Sequence, residues 1–194
     1  WYPMDISKPL RAKTCLHYIP IMYVENTTIG AGGKEAMPRD HNRDWADEPI
    51  YPEVAAAQKR IAEIHAKHGL DAYIDLHNPG AGDGIFFFGP FAFERMTGIQ
   101  QRIYKRWMEL AAANITTPRP VEPKYRFATY VKTEEERARM SSGWVRDHTG
   151  DFTISITLET GWNSPLMSVE GYSNIGAGLG HALAAYLAEN PRRE

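Results

Sequence analysis

The 194-residue sequence predicts an α/β fold: a mixed, largely buried sheet flanked by helices. Three patterns predict it. Apolar positions recur at three- and four-residue spacing from Pro52 to His68, residues alternate strictly from Phe152 to Glu159, and short apolar runs alternate with helical stripes between Ala72 and Leu110. With 43% hydrophobic residues the chain has enough apolar material for one compact domain over 1–194, and no linker or internal repeat divides it.

Taken in order, Cys15 to Val24 is apolar and aromatic with Pro20 inside it, which predicts a buried strand and a buried Cys15 thiol. Gly30, Gly32 and Gly33 mark a loop. Val54, Ala57, Ile61, Ile64 and His68 stripe a helix that starts at Pro52 and stops at Gly69. Ala72 to His77 is a short strand, Asn78 to Gly84 a loop, and Ile85 to Phe88 a buried strand of core aromatics. Met96, Ile99, Ile103, Trp107 and Leu110 stripe a second helix, Thr116 to Lys124 is a proline-rich exposed connection, and Thr133 to Arg139 is a charged, solvated helix. In the Phe152–Glu159 strand, hydroxyls and Glu159 share one face. Leu179, Leu183 and Leu187 stripe a last helix that closes before Pro191, with Gly176, Gly178 and Gly180 as close-packing positions.

Acidic and basic residues, 24 and 22, are mixed along the chain, so no basic face points to nucleic acid or to an anionic membrane. One cysteine excludes an intrachain disulfide framework. No run approaches the length of a membrane span. The start at Trp1 lacks a methionine, and the sequence is expected to be part of a longer chain.

Three places carry polar residues suited to chemistry. His77 and Glu159 each end an apolar strand, where ligands of α/β sheets bind; alone, the first reads as a structural histidine and the second as a solvated carboxylate. Between the first apolar run and the first helix lies Pro38-Arg39-Asp40-His41-Asn42-Arg43-Asp44-Trp45. Its arginine fork suits a carboxylate, with Asn42 adding a neutral hydrogen bond, or its charges pair locally to hold the loop.

The order Asp-x-Asn-Arg-Asp-Trp, Pro-Glu-Val, Ile-Asp-Leu-His and Thr-Leu-Glu-Thr resembles the zinc carboxypeptidase family, from about Leu16 through the last helix. The resemblance implies the C-terminal part of such a catalytic domain, with His77 as a zinc ligand, Glu159 as general base, and Asn42 and Arg43 binding the substrate's terminal carboxylate. It also implies zinc as cofactor and a peptide or acylamino acid with a free carboxylate as substrate. Tyr130 is the candidate for the tyrosine the family brings over the substrate, and Lys34 or Arg39 for its oxyanion-stabilising cation. The family's His-x-x-Glu, which supplies two further zinc ligands, occurs nowhere in the sequence and is expected upstream of Trp1. A non-catalytic carboxylate-binding module that has lost its metal ligands is the alternative.

Overall fold

The computed structural model describes residues 14–78, 80 and 84–189. Its elements are helices α1 (Val24–Ile29) and α2 (Pro52–His68), strands β1 (Ala72–His77) and β2 (Phe86–Phe88), helices α3 (Gly98–Asn114), α4 (Glu134–Ala138) and α5 (Ser141–Thr149), strand β3 (Ile154–Glu159) and helix α6 (Val169–Ala188). The sheet order is β1-β3-β2. Strands β2 and β3 are antiparallel, with Phe86 opposite Glu159 and Phe88 opposite Thr157. Strand β1 runs parallel to β3: Ile154 N–H donates to Asp71 O at 3.0 Å, and Thr160 N–H donates to His77 O at 2.9 Å. The sheet is therefore mixed, as the sequence predicts, and β3 is buried at all six positions.

The chain forms two compact units. Of the described residues, one comprises those within 14–16, 74–128 and 156–189, the other 17–73 and 129–155.

In the unit containing α2, the helix begins with Pro52 at a position whose N–H has no intrahelical partner, and it ends at Gly69, whose φ of 74° a side chain would strain. Val54, Ala57 and Ile61 bury one stripe against Trp45, Trp144 and Val145, with Tyr73 packed alongside. His65 and His68 lie in the last turn, and His65 Nδ1 accepts from Leu70 N–H at 3.3 Å, which closes the helix end. Helix α5 packs on both α2 and α4. It contains Gly143, where an added Cβ would lie 2.1 Å from the Arg137 carbonyl oxygen, so only glycine allows this approach. The hydroxyls at and just before the start of β3 are bonded within the protein: Thr153 donates to Leu70 O at 2.6 Å and Ser155 to Ser142 O at 2.7 Å.

The predicted strand over Cys15 to Val24 does not form. Residues 14–23 have no regular structure, Val24 opens a short helix, and Cys15, Leu16, Tyr18 and Ile19 are exposed. A strand is stable only when a neighbouring strand pairs with its N–H and C=O groups, and the sheet of the described residues contains only β1, β3 and β2. The solvated-helix expectation for 133–139 needs a correction at Arg137 and at Arg139, whose Nε is buried. Glu134 to Glu136 are exposed, but Arg137 turns inward, bonding Glu134, Asp147 and Gly143 O.

In the other unit, Thr97 and Gln100 form a capping box that starts α3. Ile103, Tyr104, Trp107 and Ala111 bury its inner face, and α3 packs against α6. Of the α6 glycines expected to pack closely, Gly178 approaches the α3 terminus, since a Cβ there would lie 2.6 Å from Asn114 O, whereas Gly180 has open space. Phe86 and Phe87 are core, and Phe88 is half-buried. Trp1 to Asp5, Pro79, residues 81–83 and Pro191 lie outside the described residues. Among the described residues no helix is long and apolar enough to cross a membrane.

Candidate active site and anion pocket

The parallel pairing of β1 and β3 carries the last residue of each strand to the same edge. His77 Nδ1 comes to 3.9 Å from Glu159 Oε1. That separation is too long for a direct hydrogen bond and short enough for one bound atom to touch both groups. Glu159 is 3% exposed, so its carboxylate acts within protein rather than bulk water.

The other face of the imidazole is held by Asp75, whose carboxylate lies 2.9 Å from His77 Nε2. An ionised carboxylate only accepts, so Nε2 is the donor in this contact, and in the neutral imidazole Nδ1 keeps its lone pair on the Glu159 side. Asp75 was legible by alternation: residues two apart on a strand share a face.

The second set lies in the other unit. Asp40 caps the turn His41–Arg43 by accepting from Asn42 N–H at 2.7 Å, and it is paired with Lys34. His41 is buried, stacked on Tyr51 with ring centroids 3.8 Å apart, and 2.6 Å from Glu53. Tyr51 in turn donates its hydroxyl to Arg39 O and its N–H to Asp44. The turn is thus pinned to the start of α2 from three sides.

Asn42 Oδ1 accepts from Ser141 N–H at 2.7 Å, which ties the turn to α5. Arg43 donates to Asn42 O at 2.6 Å and lies over the Tyr130 ring, 5.6 Å from its centroid. Arg39, Arg43, Tyr130, Val131, Glu136 and Arg139 line an open cavity of about 340 Å³. Of the two cations named for the oxyanion role, Lys34 is spent on Asp40, and Arg39 lies in the cavity wall 3.6 Å from buried Asp44. Arg139 was missed in the sequence, where it ends a charged run with no feature to mark it.

Burial alone pushes the Asp40 carboxyl up, but the Lys34 hydrogen bond, the Asn42 N–H and the charges of Lys34 and Arg43 outweigh it, and the group titrates below the ordinary carboxylate range. A carboxylate depressed in the folded state contributes stability that is present above its unfolded value and is lost as pH falls through the folded one. Asp40→Ala is therefore expected to cost about 1 kcal/mol in urea unfolding at neutral pH. The gap to wild type should narrow only below about pH 4, the unfolded carboxylate value. A gap unchanged into strong acid would show that the charge on Asp40 does not hold the turn.

No family model and no curated protein sequence matches the chain. Solved structures do. A metallo-carboxypeptidase from Burkholderia cenocepacia superposes with a TM-score of 0.73 at 21% identity, over 96% of this chain and 48% of its own. A metallo-carboxypeptidase from Pseudomonas aeruginosa, in complex with (2-guanidinoethylmercapto)succinic acid, superposes with a TM-score of 0.66 at 18% identity, over 88% of this chain and 45% of its own. The chain thus has a metallo-carboxypeptidase-like fold, and it spans about half the length of the structures it matches.

A metal ion asks more of the site than His77 supplies. A zinc ion in a protein normally takes three or four protein donors, and the described residues contain no group of three His, Cys, Asp or Glu side chains placed to hold one. His77 supplies a single presented nitrogen, so the described residues do not by themselves fit a zinc centre.

Proposed function

We propose that this chain is the C-terminal portion of a zinc-dependent, carboxypeptidase-type hydrolase that cleaves a peptide or acylamino acid next to a free carboxylate. The observation that carries the reading is the meeting of His77 and Glu159 at 3.9 Å, with the imidazole oriented by Asp75. The metallo-carboxypeptidase-like fold supports it. In this reading His77 is one metal ligand, and the remaining donors come from polypeptide corresponding to the other half of the matched structures.

The chain's own residues then have distinct tasks. Glu159 is the general base, taking a proton from water and returning it to the leaving amine. Arg43, with the Asn42 amide, holds the terminal carboxylate through its planar fork, and Tyr130 covers that guanidinium. The succinic acid derivative bound by the Pseudomonas protein agrees with a carboxylate-bearing ligand.

Arg43→Lys tests the recognition half. Lysine keeps the charge but not the fork, so affinity for an N-acetyl amino acid should fall roughly tenfold or more while affinity for the corresponding amide stays unchanged. Equal loss for both would remove Arg43 from this role. The lack of a three-donor group among the described residues favours a second reading, in which the chain is a carboxylate-binding module without catalysis. Carboxylate affinity in a full-length polypeptide that neither holds zinc nor turns over a blocked dipeptide would select it.

A further inference from the structure

The cavity beside Arg43 carries more positive charge than one terminal carboxylate requires. Three guanidinium groups line it against one carboxylate, Glu136, whose Oε2 already accepts from the N–H groups of Lys132 at 2.6 Å and Thr133 at 3.3 Å. Arg39 is partly neutralised by Asp44. Neither Arg43 nor Arg139 forms an ion pair with a carboxylate among the described residues. The Nε of Arg139 is buried with no hydrogen-bond partner there.

One fork satisfies one carboxylate through two parallel hydrogen bonds, so the second guanidinium is surplus to a neutral terminal residue. The root of Arg139 is also fixed, because its carbonyl accepts from Trp45 N–H at 3.2 Å, just beyond the turn that carries Arg43. At about 340 Å³ the cavity reaches the size range of small-ligand pockets, with Val131 and Tyr130 as walls for methylene groups.

We propose that Arg139 makes this cavity a dicarboxylate site: Arg43 takes the terminal carboxylate and Arg139 a second one on the same residue, so the favoured ligand ends in aspartate or glutamate. The inference rests on the reading of Arg43 given above and adds the class of terminal residue to it. The same chemistry fits a free dicarboxylate.

Calorimetric titration of the 194-residue chain with N-acetylglutamate, N-acetylglutamine and glutarate tests it. N-acetylglutamate should bind at least tenfold more tightly than its neutral isostere. Arg139→Gln should abolish that ratio while leaving N-acetylglutamine affinity unchanged, and Arg139→Lys, which keeps charge without the fork, should retain part of it. Glutarate binding as tightly as N-acetylglutamate supports a free dicarboxylate, and weaker glutarate binding supports the acidic chain end. Equal affinity for N-acetylglutamate and N-acetylglutamine, or a ratio that survives Arg139→Gln, overturns the proposal. Failure of all three ligands to bind overturns the Arg43 reading itself, which is a separate result.

Discussion

If Glu159 is the general base proposed above, Glu159→Gln in a polypeptide spanning the full length of the matched structures is expected to lower turnover of a blocked dipeptide by a factor of about a hundred or more. Glutamine keeps the size and much of the hydrogen bonding of a side chain that is almost wholly buried, so the unfolding midpoint should stay close to wild type. The loss should appear in kcat more than in KM, because the base acts in the transition state and not in holding the carboxylate end. Steady-state kinetics at saturating substrate measure it. Retained turnover would place the base elsewhere and reduce the His77–Glu159 meeting to a structural contact.

Trp107→Ala is expected to be the most damaging core substitution in its unit. The indole is fully buried and meets Phe87 and Tyr186 edge to face, with ring centroids at 5.6 and 5.9 Å, so it joins β2, α3 and α6. Its removal leaves a cavity in place of those contacts and should cost about 3–5 kcal/mol in denaturant unfolding. Because β2 pairs with β3 at the Phe86–Glu159 register, loosening this core should also blur the placement of Glu159. A cost below about 1 kcal/mol would mean that α3 and α6 close the gap by repacking.

Local signals with a single physical reading were legible in the sequence. Pro52 and Gly69 bracket α2 because one residue suits a helix start and the other a positive φ at its end. The alternation at β3 and the apolar run of β1 located the two strands whose last residues are Glu159 and His77. The Cys15–Val24 run shows the limit: hydrophobicity and aromatic content say that a segment can be a strand, but only a partner makes it one, and partners are not written in local spacing.

Helix α5 was missed because Ser141, Ser142 and Gly143 give little intrinsic helix signal, and Gly143 is there for contact with Arg137 O. Its tie to the turn His41–Arg43, Asn42 Oδ1 to Ser141 N–H, joins residues 99 apart. The same holds for Arg137 and Arg139, read as parts of a solvated face. Which guanidinium turns inward depends on the packing of α4 on α5 and not on the charge pattern of the run.

Zinc stoichiometry tests most directly whether this chain supplies one part of a metal-dependent site. The 194-residue chain, dialysed against zinc and then against metal-free buffer, should retain well under one equivalent, because His77 alone cannot replace three or four donors. A polypeptide spanning the full length of the matched structures should retain about one. Stoichiometric zinc accompanied by turnover of a blocked dipeptide in the 194-residue chain would contradict the account and locate the metal on other residues.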